Sequence, residues 1–273
     1  MTEDFKQFES DGGSAQAASY DPVTGRATVQ AVEPLLELAG VAAGARVLDV
    51  ATGLGAVAVA ATARGATAVG VDLADGMLDA ARGAHPGIEF VSADAEDLPF
   101  ETGSFDSVIG AFVLNHLPHP DRCAAEAARV TTPGGGVAFA VWDHPERARL
   151  TSLLGRALAA TGVDRSAAVP DSPDDFRFAD DDRMRTLLLR AGLTDVRAET
   201  LSISVRADSA DELWDGLRGG TVRTAATLAA QDDQTRARVR EAFDSAVAEF
   251  ALSGGGFEVP TVIKLGAGRR PDS

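Results

Sequence analysis

Cysteine, lysine and tyrosine are scarce in this 273-residue chain, and each scarcity removes a class of chemistry. Cys123 is the single cysteine, which excludes an intrachain disulfide and a cysteine-rich zinc site. Lys6 and Lys264 are the only lysines, both near the termini, where an internal Schiff-base amine for phosphopyridoxal chemistry is not expected. No run approaches the ~18–20 uninterrupted apolar residues that span a bilayer, so membrane insertion is not expected. The start, Met1 to Ser14, is polar and acidic rather than basic-then-apolar, which argues against a secretory signal and for a cytoplasmic location. Basic charge is also short: 25 Lys and Arg against 41 Asp and Glu leave a net charge of −16. That field repels phosphate backbones and anionic membranes, so nucleic acid is not an expected partner.

What is present is an alternation. Strands are expected at Arg46–Ala51, Ala66–Val71, Ile88–Ser92, Ser104–Phe112 and Val137–Trp142. Helices between them are expected at Ala56–Arg64, Asp75–Ala84 and Asp121–Val130. Near-continuous apolar strands alternating with helices specify an α/β fold, a mostly parallel sheet covered on both faces. Residues 1–27 show no sustained pattern and read as an irregular arm; Ala27–Ala39 reads as an amphipathic helix containing Pro34. Pro133–Gly136 reads as a turn. Beyond Trp142 the rhythm loosens: a helix over Glu146–Thr161, a loop over Val163–Asp175, a helix over Asp181–Ala191 and a strand over Thr194–Ala207. Two helices broken near Gly219-Gly220 then lead to a last strand over Phe257–Leu265, expected to lie antiparallel at the sheet edge. We therefore expect an arm and helix over the active site (1–40) and one Rossmann-like domain (41–273), with helical cap insertions at about 144–178 and 208–254.

The most informative stretch is Val47-Leu48-Asp49-Val50-Ala51-Thr52-Gly53-Leu54-Gly55, followed by Val69-Gly70-Val71-Asp72. An apolar strand that breaks into small residues lets the backbone turn sharply and approach a ligand closely. A carboxylate ending the next strand sits at the same sheet edge, where it can grip a ribose diol. Together they point to a pocket for a nucleoside cofactor.

With Ser92-Ala93-Asp94-Ala95-Glu96-Asp97-Leu98-Pro99-Phe100 and Phe112-Val-Leu-Asn-His-Leu-Pro-His-Pro120, these motifs make the chain resemble the class I S-adenosylmethionine-dependent methyltransferases. The likeness is greatest to the ubiquinone/menaquinone-biosynthesis-like branch (methyltransferase type 11), and it covers roughly residues 40–142. The resemblance implies a seven-stranded, mostly parallel sheet with the last strand antiparallel. It also implies S-adenosylmethionine as cofactor, S-adenosylhomocysteine as product, and a small-molecule acceptor in quinone or natural-product biosynthesis. It assigns Asp49, Ala51, Gly53 and Gly55 to the glycine-rich first motif, with Ala51 where many members carry the first glycine. Asp72 is matched to the ribose hydroxyls, Leu73 and Met77 to the adenine border, and Asp94, within Asp94-Ala95-Glu96, to the adenine amino group. Phe112 and Asn115 fall in the loop beneath the sulfonium.

Methyl transfer needs a base only when the acceptor's proton must leave early. His116, just past the fourth strand, is the leading residue for that role or for positioning, since an imidazole titrates near neutral pH. Tyr20, the only tyrosine, lies in an arm that in relatives folds over the cofactor and is a second, weaker catalytic candidate. Arg26 could pair with the cofactor's carboxylate, and Trp142, Phe176, Phe178 and Trp214 could shape an aromatic acceptor site. His85, His119 and His144 read as surface or loop residues, and no metal site is expected, since Asp143 alone is placed for a clustered-acid magnesium site. Two other readings stay open: an NAD(P)-dependent oxidoreductase on the same layout, and an S-adenosylmethionine-binding protein that no longer transfers methyl. The acceptor, the methylated atom and the choice between monomer and homodimer are not readable from the residues.

Overall fold

The computed structural model describes residues 3–17, 23–165 and 168–272. Among them, seven strands form one sheet: β1 (Arg46–Val50), β2 (Thr67–Asp72), β3 (Glu89–Ser92), β4 (Phe105–Ala111), β5 (Thr131–Trp142), β6 (Thr194–Ala207) and β7 (Phe257–Arg269). Their spatial order is β3-β2-β1-β4-β5-β7-β6. Strands β1 to β5 pair in parallel, whereas β7 runs antiparallel to both β5 and β6. The chain builds outward from β1 to β3 and then returns to place β4 against β1. In a doubly wound sheet that reversal opens a crevice at the carboxyl ends of β1 and β4, where ligands bind.

Strand alternation sends side chains to two cores. Leu48, Val50, Val108, Val137, Phe139 and Val141 pack on one face with α6 (Pro120–Val130) and α8 (Asp181–Arg190). Val47, Ile109, Ala138 and Ala140 pack on the other with α3 (Val32–Ala39), α4 (Ala56–Ala63) and α5 (Asp75–Ala84). Small residues on the second face let α3 come close: a Cβ at Gly136 would lie 2.1 Å from the Ala39 carbonyl oxygen. That helix-terminal carbonyl accepts from Ser107 Oγ at 3.0 Å and from Arg269 Nη1 at 3.3 Å. A third core joins α2 (Thr24–Thr28), α7 (Arg149–Ala160), α9 (Ala210–Gly219), α10 (Val222–Ala229) and α11 (Asp233–Val247) to the outer ends of β6 and β7. No described helix is long and apolar enough to cross a membrane.

The strand directions agree with the sequence reading, but β7 does not lie at the sheet edge: β6 pairs along its outer side and takes that place. Four further local expectations need correction. Residues 3–16 are not irregular: they form helix α1 (Glu3–Gln16). Glu3 and Asp4 suit the positive end of its dipole, yet Gly12 and Gly13 weaken it in isolation. Docking decides the outcome, since Phe5 is fully buried and a Cβ at Gly12 would lie 2.2 Å from Val222 Cγ1. Pro133–Gly136 is not a turn but a bulged stretch of β5, because the chain beyond β7 pairs with it: Gly134 N donates to Arg270 O and Arg270 N to Gly135 O, both at 2.9 Å. That pairing also carries β7 past Leu265 to Arg269. The segment 209–252 holds three helices, α9 to α11, and not two. The expected Ala27–Ala39 helix is divided by a short 3-10 turn, Val29–Ala31, before α3, in which Pro34 sits in the first turn and needs no intrahelical donor.

Gly136→Ala forces a methyl group into the Ala39 carbonyl, and overpacking against rigid backbone is expected to cost at least about 2 kcal/mol. Urea denaturation monitored by circular dichroism measures it; an unchanged midpoint would show that α3 is not held this closely.

Candidate functional site

Strand β1 ends in a turn built from left-handed residues: Ala51 at φ 55°, Gly53 at φ 53° and Gly55 at φ 90°. Ala51 holds this conformation without the freedom of glycine, a local strain of the kind concentrated at functional sites. Beneath the turn, Asp49 Oδ2 accepts from Thr52 Oγ1 at 2.6 Å and from the Ala58 amide at 3.0 Å, pinning the start of α4. Asp49 is 1% exposed. Burial pushes its carboxyl up to about 7 despite those bonds, with the neighbouring Asp72 adding to the rise. At the end of β2, Asp72 Oδ2 accepts from the Gly53 amide at 2.8 Å and Oδ1 from the Ala74 amide at 2.9 Å. Burial raises the Asp72 carboxyl above its ordinary value, outweighing those amides.

A cavity of about 220 Å³ opens over this edge. Its floor and walls come from Ala51 and Gly53 of the turn, Asp72 to Ala74 and Met77, Ala93 to Ala95, and Ala111 to Val113 with His116 and Leu117. Trp142 closes one side, with its ring 4.4 Å from that of Phe112 at an interplanar angle of 34°. Phe112 is a second strained residue, at φ 63°. A Cβ at Gly53 would meet nothing within 4 Å, so the turn presents bare backbone to open space.

Helix α1 forms the roof. Ser10 Oγ donates to Leu73 O at 3.0 Å, and Ser14 Oγ accepts from the Gly76 amide at 3.3 Å. Lys6 Nζ donates to Asp94 Oδ2 at 2.6 Å and to Glu96 Oε2 at 3.0 Å. Burial works against the Lys6 charge, but its two carboxylate bonds prevail and hold the ammonium above its ordinary range. One turn on, Glu9 Oε2 lies 2.7 Å from His116 Nδ1, and Glu9 Oε1 accepts from Arg223 Nε at 2.6 Å. Burial alone would raise the Glu9 carboxyl; its interactions with His116 and Arg223 overcome it and hold the carboxyl below its ordinary value. Arg223, on α10 and 4% exposed, also donates to Asn115 O at 2.6 Å and Pro173 O at 3.0 Å, and pairs with Asp175.

The structure brings Ala51, Gly53, Asp72, Leu73, Met77, Asp94, Ala95, Phe112 and His116 to the cavity. It sets four other expected residues behind it. Asp49 lies under the turn, and Gly55 caps α4, where a Cβ would press on Phe90 at 3.0 Å. Glu96 accepts from Lys6 and from the His119 amide at 2.6 Å. Asn115 is buried, and its Oδ1 has no hydrogen-bond partner among the described residues. Tyr20 lies outside the described residues. Arg26 pairs with Glu212 on α9. Of the four aromatics considered for the acceptor, Trp142 lines the cavity and Phe176, Phe178 and Trp214 do not: Trp214 packs edge-on against Phe243 in the helical core and Phe178 joins the sheet core. Among the described residues, no three His, Cys, Asp or Glu side chains cluster as metal ligands. Sequence reasoning missed Lys6, Glu9 and Arg223. The rarity of lysine was a signal for Lys6, but Glu9 and Arg223 carry no local pattern, being 214 residues apart and joined only by the fold.

Residues 48–139 match the family described as methyltransferase domain. The demethylmenaquinone methyltransferase of Renibacterium salmoninarum is 33% identical over 177 residues, which are 62% of this chain and 74% of that one. That of Paenarthrobacter aurescens is 32% identical over 185 residues, 62% of this chain and 72% of that one. Among solved structures, the YcgJ protein of Bacillus subtilis is similar with a TM-score of 0.59 at 19% identity, over 89% of this chain and 99% of that one. A Haemonchus contortus phosphoethanolamine N-methyltransferase, solved with phosphomonomethylethanolamine and S-adenosylhomocysteine, gives a TM-score of 0.54 at 18% identity over 89% of this chain and 52% of that one. These two structural likenesses speak for the fold.

Asp49 tests the electrostatics of the turn. Its unfolded carboxyl ionises near pH 4, whereas the folded one keeps its proton to about 7. Its contribution to stability is therefore complete below about pH 4 and is lost as pH rises through about 7. Both of its bonds fall on one oxygen, so Asp49→Asn can keep them without titrating. The melting temperature of the variant minus that of the wild type is expected to increase between roughly pH 4 and 8, read by calorimetry. A difference that stays constant over that range would contradict the buried, proton-holding carboxyl.

Proposed function

This chain belongs to the class I S-adenosylmethionine-dependent methyltransferases, in the ubiquinone/menaquinone-like branch, and we propose that its acceptor is a small, flat aromatic molecule with an ionisable hydroxyl, of the quinone-precursor or related natural-product type. The observation that carries this reading is one cavity joining two kinds of wall. One part of its lining is bare Gly53 backbone and the Asp72 carboxyl; another is the Phe112–Trp142 pair. The relatives named as demethylmenaquinone methyltransferases support the same acceptor class.

The residues present fit the cofactor. Asp72 keeps unused lone pairs on both oxygens after its two amide bonds, which suits a ribose diol. Leu73 and Met77 offer an apolar border for a purine, and Asp94 an acceptor for its amino group. Of the carboxylates on the cavity wall, Glu9 is paired with Arg223 and Asp94 with Lys6, which leaves the Asp72 carboxyl as the group facing a cationic ligand. When bound, S-adenosylmethionine supplies a methyl group already activated by positive sulfur. What remains for the protein is alignment, exclusion of water and removal of a proton. The Phe112 and Trp142 faces orient a flat ring, α1 roofs the cavity against water, and His116 takes the proton from the acceptor hydroxyl.

Two variants separate these roles. Asp72→Ala is expected to weaken S-adenosylhomocysteine binding by about 10- to 100-fold, the scale of one or two hydrogen bonds to a charged group. His116→Ala is expected to lower kcat by about 10²- to 10⁴-fold while calorimetric affinity for S-adenosylhomocysteine stays within about 3-fold of wild type. Undiminished binding in the first variant or undiminished turnover in the second overturns the corresponding role.

A further inference from the structure

We infer that Glu9, on the roofing helix, is a positioning residue that fixes the His116 ring in the tautomer required of a base. The inference rests on the reading of His116 given above. The pair joins residues 107 apart in the chain, with Glu9 Oε2 and His116 Nδ1 at 2.7 Å. The two ends differ in exposure: the Glu9 side chain is 8% exposed and the His116 side chain 48%. A carboxylate taken this far from water must find hydrogen-bond donors close by. Glu9 divides its oxygens between two of them, Arg223 on Oε1 and His116 on Oε2.

The direction of each bond follows from chemistry. An ionised carboxylate only accepts and a guanidinium only donates. The neutral imidazole facing Glu9 must therefore carry its proton on Nδ1, leaving the lone pair on Nε2. Nε2 has no partner among the described residues, and His116 lines the cavity. Arg223 contributes twice: it neutralises Glu9, and it grips the backbone carbonyl of Asn115, the residue before His116. Arg177 holds the same loop through Leu114 O and Leu117 O. The loop is thus fixed from below by arginines while the ring is set from above by α1, so the base is complete only when α1 is docked.

The chemistry then closes. With the cofactor bound, Nε2 would take the acceptor's hydroxyl proton while the acceptor's nucleophilic atom takes the methyl group and the carbon–sulfur electron pair returns to sulfur. The resulting imidazolium is balanced by Glu9 through Nδ1–H, and the proton afterwards passes to water.

Glu9→Gln tests this because it keeps the shape and reverses one bond. Arg223 can only donate, so it claims the amide oxygen of Gln, and the amide NH₂ is turned toward His116 Nδ1. The ring must then carry its proton on Nε2. Nitrogen chemical shifts of ¹⁵N-histidine-labelled protein, free of any nucleoside, read the tautomer, with His116→Ala assigning the signal. The expected result is Nδ1–H in wild type and Nε2–H in Glu9→Gln, with kcat lowered at least about 100-fold and S-adenosylhomocysteine affinity within about 3-fold of wild type. Lys6→Met loosens α1 one turn before Glu9 without touching the pair and is expected to leave the wild-type tautomer. A Glu9→Gln protein that keeps the proton on Nδ1 or turns over at the wild-type rate overturns the assignment. So does a Lys6→Met protein that shifts the tautomer as Glu9→Gln does, since docking alone would then explain it. Failure of wild-type protein to bind S-adenosylhomocysteine would sink the cofactor reading instead, and the nucleoside-free tautomer would still decide the Glu9–His116 pairing.

Discussion

A cluster of carboxyl groups withdrawn from water at one sheet edge is the constraint from which the rest of this structure follows. The side chains of Asp49, Glu9 and Glu96 are buried and Asp72 is half-buried around the ends of β1, β2 and β4, where an unsatisfied carboxyl group would cost several kcal/mol. Each is met by a different local device. The amide of Ala58 and the hydroxyl of Thr52 hold Asp49, which also retains its proton to about 7. The amides of Gly53 and Ala74 hold Asp72, Lys6 and the His119 amide hold Glu96, and Arg223 with His116 holds Glu9. The turn after β1 and the roof over the cavity therefore exist together, because each supplies donors that the carboxylates of the edge require.

This arrangement links cofactor, base and lid. Helix α1 touches the Asp94–Glu96 loop through Lys6 and the His116 loop through Glu9, so one helix spans the adenine end and the reacting end of the proposed site. Its own sequence, with glycines at 12 and 13, gives it little reason to be helical alone. Those glycines instead allow close approach to Val222 and Ala74. A helix whose order comes from docking suits a roof that must open for a nucleoside to enter.

How much of this was legible in the residues depended on whether the signal was local. The strand ends Val47–Val50 and Val69–Asp72, with the small residues after Val50, announce the sheet and the nucleoside edge within about 25 positions, and the parallel strands with an antiparallel last one agreed. The place of β7 inside β6 did not, because β6 and β7 pair across the helices α9 to α11. Asp72 and Gly53 could be paired from sequence because adjacent strands put them side by side. The Pro133–Gly136 segment misled because its partner, Arg270, lies at the far end of the chain. Helix α1 was missed for the same reason: what holds it are Asp94, His116 and Arg223, and no periodicity in residues 3–16 encodes them. Trp142 and Trp214 looked alike as aromatics beside the insertions, yet only the packing of β5 against β4 and β7 brings the first to the cavity, while α11 buries the second.

The claim on which the account stands is that a sulfonium nucleoside lodges on Gly53 and Asp72 at the carboxyl edge of β1 and β2. Isothermal titration of the purified wild-type protein with S-adenosylhomocysteine, with NAD as the comparison ligand, addresses it directly. Saturable binding of one S-adenosylhomocysteine per chain and no heat from NAD are the expected result. Silence toward S-adenosylhomocysteine, or a preference for NAD, would contradict it.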